Sequence, residues 1–260
     1  MNRILAAPIG LLLVALTAGP ANAATIDISN VQDSEGSPLS GYTVSSGAGN
    51  DLLLVVSISL KDKNENDDAT VTDVTFGTAS LTKAVAISDV SGGWNQRSEV
   101  WYAKQADITL DTSQDITVTT TGAVTNPIEL AAMVLDDVDQ ANPLDSTATG
   151  IHESGYTVSA TITTNTDNCM LIDVVTIRSG TSKTPGASQT EDWDHTSAYG
   201  AGGHRLVGTA GSYTNTWDED DQSTDRMALS VAAFKLVPEP ATMVLLGLGG
   251  AGLLIRRNRS

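Results

Sequence analysis

The chain has 260 residues, of which 31 are acidic and 14 are basic, so its formal net charge is −17. This acidity argues against nucleic acid as a partner, because phosphate binding depends on clustered lysines and arginines. The single cysteine, Cys169, excludes an intramolecular disulfide framework and a cysteine-rich zinc site.

The N-terminus predicts a secretory signal peptide over residues 1–23. Arg3 supplies a positive charge, an apolar stretch covers 4–18, and a small-residue Ala-x-Ala site ends at Ala23. A retained membrane anchor is the alternative, but the apolar stretch is shorter than the roughly 20 residues that a span needs. We therefore expect an exported protein that is cleaved after Ala23.

Between the two ends, short apolar or alternating runs predict β-strands. No helical periodicity persists over three turns, and clusters of Gly, Asn, Asp and Ser separate the runs. In chain order the runs cover 51–60, 69–76, 81–89, 98–104, 115–121, 128–136, 156–164, 170–178 and 226–236. Many short strands with frequent turns are typical of β-sandwiches and jelly rolls. We therefore predict an all-β protein with a single, jelly-roll-like β-sandwich domain over 24–236.

The loop after the first run carries oxygen-bearing side chains at alternating positions: Asp62, Asn64, Asn66 and Asp68. This alternation is typical of a calcium-binding loop. We expect no cofactor, with Ca²⁺ at this loop as the alternative. The glycine and the glutamate expected at the sixth and twelfth positions of such a loop are missing. A solvated hairpin loop would have the same composition.

Three tryptophans in turn-rich contexts, Trp94, Trp193 and Trp217, are the candidate carbohydrate-binding residues. Flat aromatic rings stack on sugars, while neighbouring Asp and Asn side chains bond the sugar hydroxyls. The alternative is that the rings cover the edge of the sandwich.

Nothing in the sequence favours catalysis. There is no Gly-x-Ser-x-Gly motif, and His195 and His204 do not have the spacing of a zinc-binding helix. Repeated Thr-x-Thr pairs would suit an ice-binding face, but they have no regular period. We expect no enzymatic activity and no catalytic residues, with a secreted hydrolase and an ice-binding protein as weaker alternatives.

The last 24 residues have three parts: a Pro-Glu-Pro motif, an apolar stretch over 241–255, and an arginine-rich end. They resemble the PEP-CTERM sorting signals that exosortases process in Gram-negative bacteria. The residues that carry this resemblance are Pro238, Glu239, Pro240, Arg256 and Arg257. The resemblance implies a transmembrane helix over 241–255, transient anchoring in the inner membrane, cleavage near the motif, and delivery to the cell surface or the extracellular matrix. A permanent single-pass anchor is the alternative.

Without its two terminal segments the domain is more acidic still, with 30 acidic and 10 basic residues over 24–237. We therefore expect an exported structural or adhesive protein of the extracellular matrix. Its partners would be the exosortase sorting machinery and, as a candidate, extracellular polysaccharide. A carbohydrate-binding module is the alternative function.

Overall fold

The computed structural model describes residues 28–63, 69–91, 93–178, 182–195, 199–219 and 225–237. The expected signal peptide and the expected transmembrane helix lie outside these residues. Among the described residues, no helix is both long and apolar enough to cross a membrane.

Among the described residues, nine strands lie in the first half of the chain. They are β1 (Ile28–Ser34), β2 (Leu39–Tyr42), β3 (Leu53–Asp62), β4 (Val71–Phe76), β5 (Ala79–Ser80), β6 (Thr82–Ser91), β7 (Trp94–Lys104), β8 (Gln114–Thr120) and β9 (Glu129–Leu135). Two short 3-10 turns, Ser46–Ala48 and Gln105–Asp107, connect strands in this half.

In the second half, the part of the chain that the structure describes contains eight strands. They are β10 (Leu144–Gly155), β11 (Thr157–Thr164), β12 (Cys169–Ile177), β13 (Lys183–Pro185), β14 (Thr190–Asp194), β15 (Gly200–Val207), β16 (Gly211–Glu219) and β17 (Asp225–Lys235).

The strands form four antiparallel sheets, two from each half of the chain. In the first half, β1-β9-β3-β7-β6 form inner sheet 1 and β2-β8-β4-β5 form outer sheet 1. In the second half, β10-β17-β12-β15-β14 form inner sheet 2 and β11-β16-β13 form outer sheet 2. The all-β prediction is therefore confirmed.

The two halves repeat one strand order. Every strand of the second half has a counterpart at the same position in a sheet of the first half. For example, β12 corresponds to β3, and β17 corresponds to β9. Within each half, the first strand neighbours the last and the second neighbours the penultimate, which is the strand order of a jelly roll. The structure does not confirm a single sandwich, because the described strands form two jelly rolls in tandem.

Local features confirm the match between β3 and β12. Asp51 and Asn168, which precede the two strands, both have a left-handed backbone, with φ of 50° and 55°. The Thr176 hydroxyl lies 3.0 Å from Oγ of Ser59, which is the matching residue 117 positions earlier. The two jelly rolls therefore meet along matching strands.

Three apolar clusters separate the four sheets into layers. One lies between outer and inner sheet 1, one between the two inner sheets, and one between inner and outer sheet 2. In β3, Leu54 and Val56 face the first cluster, whereas Leu53 and Val55 face the second. Both faces of an inner sheet are thus covered, which explains why its central strands are continuously apolar.

The contact between the inner sheets is polar over part of its area. Ser230 donates to the backbone oxygen of Ser98 at 2.8 Å, and the Oγ atoms of these two serines are 3.1 Å apart. Thr176 donates to the backbone oxygen of Arg97 at 2.7 Å. These buried hydroxyls are satisfied across the contact, so they fix the register of one sheet on the other.

β17 connects two opposite ends of the molecule, which we name the tail end and the far end. Val237, at the tail end, follows the last residues of β17. At the far end, the backbone nitrogen of Arg178 donates to the backbone oxygen of Arg226 at 3.1 Å. Eleven residues of strand separate the two ends by roughly 35 Å.

Candidate functional site

Two of the three candidate sugar-binding tryptophans are buried. Trp217 is 0% exposed, and its indole nitrogen donates to Asp173 at 2.9 Å. Trp193 is 4% exposed and packs in the cluster between the inner sheets. Neither ring offers a face to a sugar, so the burial of these two residues does not support the carbohydrate prediction.

Trp94, the third, is partly exposed at the far end and is surrounded by positive charge. The Lys61 ammonium lies 4.3 Å from the centroid of the Trp94 ring and 3.5 Å from that of Tyr199. Lys63 Nζ and Arg178 Cζ lie 5.8 and 5.9 Å from the Trp94 centroid. We name these five residues the cationic patch. The sequence did not predict it.

Asp62, the first candidate calcium ligand, is fully buried. Its Oδ1 accepts hydrogen bonds from the backbone nitrogens of Lys63 at 2.8 Å and Thr125 at 3.0 Å, so it joins two loops. The other candidates, Asn64, Asn66 and Asp68, lie outside the described residues. Within the part of the chain that the structure describes, no three acidic, histidine or cysteine side chains form a group able to hold a metal. The calcium loop stays a prediction.

The sequence did not predict that two carboxyl groups, those of Asp173 and Glu129, are buried. Asp173 interrupts the apolar run of β12, and that interruption was the available signal. Burial raises the pKa of Asp173 to about 7, although hydrogen bonds from Asn215 and Trp217 lower it. Both Asp173 oxygens accept hydrogen bonds within inner sheet 2 and outer sheet 2, so this carboxyl group ties the two sheets together.

Glu129 lies beside the cationic patch. Its Oε1 accepts a hydrogen bond from the backbone nitrogen of Tyr199 at 2.8 Å, and its Oε2 has no hydrogen-bond partner among the described residues. Burial raises the pKa of Glu129 to about 7, and the charge of Lys183 opposes this shift. A Cβ atom on Gly200 would lie 2.5 Å from Oε2, so the glycine makes room for the carboxyl group.

The tail end holds the chain up to the residue before the Pro-Glu-Pro motif. The backbone nitrogen of Leu236 donates to Asn168 at 3.1 Å, and that of Val237 donates to Asp137 at 2.7 Å. A cavity of about 580 Å³ lies beside these residues. It is lined by Asp139, Thr166, Asp167, Asn168, Lys235, Leu236 and Val237.

The comparisons with known proteins bear on this end of the chain. Residues 236–259 match the family model of the PEP-CTERM protein-sorting motif. The chain carries a PEP-CTERM sorting motif. The expected sorting signal is therefore confirmed, although its residues Pro238, Glu239, Pro240, Arg256 and Arg257 lie outside those that the structure describes. No curated protein and no solved structure matched the chain.

The PEP-CTERM motif implies an exported, surface-sorted protein that the exosortase machinery recognises and processes. The matched segment begins at Leu236, directly after β17. The backbone hydrogen bonds of Leu236 and Val237 therefore lie within the first two residues of the matched segment.

Proposed function

We propose that this protein is a structural or adhesive component of the extracellular matrix of a Gram-negative bacterium and has no catalytic activity. The observation that carries the proposal is the PEP-CTERM motif, which follows the last strand without a linker. The inner membrane would anchor the chain transiently through 241–255 until the exosortase cleaves near the motif.

The fold suits a passive role outside the cell. Two jelly rolls share a buried contact, so the domain is held together by β packing, and its single cysteine is buried. The large excess of acidic residues keeps such a surface soluble and hydrated.

Carbohydrate binding is the second candidate function, and Trp94 is the observation that favours it. This tryptophan is partly exposed at the far end, and Tyr199 lies in the same cluster. Partly exposed aromatic rings are the common contact surface for sugars.

Deleting 238–260 is expected to abolish surface display, because both the motif and the helix are lost. Fluorescent antibody labelling of intact cells measures the displayed fraction, and cell fractionation shows whether the protein moves to the periplasm or the medium. Unchanged labelling after the deletion would refute the sorting proposal.

A second variant separates sorting from permanent anchoring. Replacing Pro238, Glu239 and Pro240 with alanine retains the apolar stretch but removes the motif. We expect uncleaved protein in the inner membrane fraction. Normal cleavage and display of this variant would contradict a role for the motif.

A further inference from the structure

We infer that the tail end is the membrane-facing surface of the anchored protein, and that its acidic loops favour release from anionic lipid once the chain is cut. The inference rests on the proposed transient anchoring. It adds which surface of the domain meets the membrane, and the partner of that surface is the phospholipid headgroup layer.

Ile28 and Val237, where the described residues begin and end, both lie at the tail end. In the ladder between β1 and β9, Ile28 pairs with Leu135, the last residue of β9. Just beyond β9, the backbone oxygen of Asp137 accepts a hydrogen bond from the backbone nitrogen of Val237 at 2.7 Å. Ile28 and Val237 therefore lie within roughly 20 Å of each other. The predicted signal peptide and the sorting segment consequently join the domain at the same end.

Short segments connect this end of the domain to the apolar stretches. Residues 238–240 separate Val237 from the apolar stretch that begins at 241. Fully extended, this segment spans about 10 Å, whereas the headgroup layer on each side of a bilayer is about 5 to 7 Å thick. Anchoring would therefore hold Val237 within about 5 Å of the headgroup surface. Residues 24–27 connect Ile28 to the predicted signal peptide over a similar length.

The chain leaves the domain at the junction of the two jelly rolls. Val237 is bonded to Asp137, which follows β9 of the first jelly roll. Leu236 is bonded to Asn168, which precedes β12 of the second. Packed sheets, about 10 Å apart, therefore lie on both sides of this exit. The connecting segment is too short for the domain to turn and lay an outer sheet on the membrane, so the tail end faces the headgroups.

The loops at the tail end are acidic. Lys104 and Lys235, at the ends of β7 and β17, offset at most two of their charges, and Lys235 Nζ lies 3.7 Å from Asp139 Oδ2. The loops contain seven aspartates and no lysine or arginine over residues 43–52, 105–113, 136–143 and 165–168. Anionic headgroups repel such a surface within about one Debye length, roughly 8 to 10 Å at physiological salt.

Two of these aspartates are held in the ionised form by hydrogen bonds. Bonds from Ser46 lower the pKa of Asp111, and the bond from the backbone nitrogen of Asn142 lowers that of Asp139. The negative charge of the tail end therefore persists at neutral pH. The connecting segments alone would hold this surface at the membrane, so cleavage near the motif would free a domain that the lipid surface repels.

The orientation is tested with the full-length chain in vesicles of phosphatidylethanolamine and phosphatidylglycerol. Ala106, in the 3-10 turn after β7, is exposed at the tail end, and Ala123, between β8 and β9, is exposed at the far end. Each is replaced with cysteine and labelled with a fluorophore, while Cys169 is buried and the unmodified protein measures its background labelling. Lipids that carry a nitroxide on the headgroup quench the fluorophore at short range. We expect quenching about threefold or more stronger in Ala106→Cys than in Ala123→Cys, because roughly 35 Å separates the two ends.

Two further sites test whether the domain lies on its side. Thr117 is exposed on outer sheet 1 and Thr161 on outer sheet 2. Labels on Thr117→Cys and Thr161→Cys should be quenched less than the label on Ala106→Cys. Stronger quenching at either outer sheet, or equal quenching at Ala106→Cys and Ala123→Cys, would overturn the inference.

Changing the lipid tests the repulsion. Replacing phosphatidylglycerol with phosphatidylcholine should increase quenching of the Ala106→Cys label at low salt, and the difference should vanish at high salt because salt screens the charges. Equal quenching in both lipids at low salt would contradict the role of the acidic loops. Cosedimentation with the vesicles is measured first: its failure would refute the proposed anchoring, whereas cosedimentation with the wrong pattern of quenching would refute the orientation alone.

Discussion

Replacing Asp173 with alanine is expected to lower the free energy of unfolding by about 3 to 5 kcal/mol. Oδ1 accepts hydrogen bonds from Trp217 at 2.9 Å and Gly203 at 3.1 Å. Oδ2 accepts from Asn215 at 2.6 Å and Gln189 at 2.8 Å. Removing the carboxyl group leaves these donors facing a cavity inside the second jelly roll. Urea unfolding, followed by tryptophan fluorescence, measures the loss.

Two further variants make the Asp173 prediction specific. Asp173→Asn keeps the shape of the side chain, but its NH₂ group would face N–H donors. We therefore expect the free energy of unfolding to fall by about 1 to 3 kcal/mol. Asp107→Ala, at an exposed position in a 3-10 turn, is the control and should change stability by less than about 0.5 kcal/mol. Equal stability of Asp173→Asn and the unmodified protein would contradict the hydrogen-bond network described here.

Replacing Glu129 with glutamine is expected to remove part of the pH dependence of stability. Because burial raises the pKa of Glu129 from 4.5 to about 7, the folded protein holds this proton more tightly than the unfolded chain. The resulting stabilisation is complete below about pH 4.5 and is lost as the pH rises through 7. The loss amounts to about 3 kcal/mol by pH 8. Glutamine is neutral throughout and can still accept the hydrogen bond from Tyr199.

The measurement compares unfolding free energies at acidic and alkaline pH. Glu129→Gln should be more stable than the unmodified protein at pH 8 by up to about 3 kcal/mol, and similar to it near pH 4.5. Glu153→Gln, which makes the same change in an exposed residue, is the control. A parallel pH dependence of the Glu129→Gln variant and the unmodified protein would show that Glu129 ionises normally in the folded state.

The central strands could be predicted from the sequence, but the duplication could not. The runs 51–60 and 170–178 were apolar enough to identify β3 and β12, because both faces of an inner sheet are buried. The two strands share burial and register but few identical residues. A repeat that conserves only the pattern of burial is invisible to a search for a sequence period.

β15 shows why other strands escaped prediction. Its sequence begins Gly-Ala-Gly-Gly and has the composition of a loop. Tertiary contacts require these glycines. A Cβ atom on Gly202 would lie 2.4 Å from the Trp193 indole nitrogen, and one on Gly203 would lie 2.3 Å from the Thr190 carbonyl oxygen. Close packing against β14 therefore selects residues that local propensity assigns to turns.

The PEP-CTERM motif could be predicted from the sequence, whereas the cationic patch could not. The PEP-CTERM motif is contiguous, so its order of elements was readable directly from the chain. The cationic patch combines residues from 61 to 199, which are far apart in the sequence and meet only in the folded chain. The burial of Trp217 could not be predicted for a related reason, because the Asp173 side chain that accepts its N–H hydrogen bond lies 44 positions away.

The central claim is that the two jelly rolls pack through their inner sheets and that this packing brings the residues of the cationic patch together. A disulfide tests it most directly. Oγ of Ser98 and Oγ of Ser230 are 3.1 Å apart, so cysteines at both positions are close enough to bond after small rotations.

After mild oxidation of the Ser98→Cys and Ser230→Cys double variant, thiol titration under denaturing conditions is expected to find Cys169 as the remaining free thiol. Pairing Ser98→Cys with Ser212→Cys, on the exposed face of β16, is the control and should give no intramolecular disulfide. If the cysteines at 98 and 230 stay reduced under the same conditions, the stacked arrangement of the two jelly rolls is contradicted.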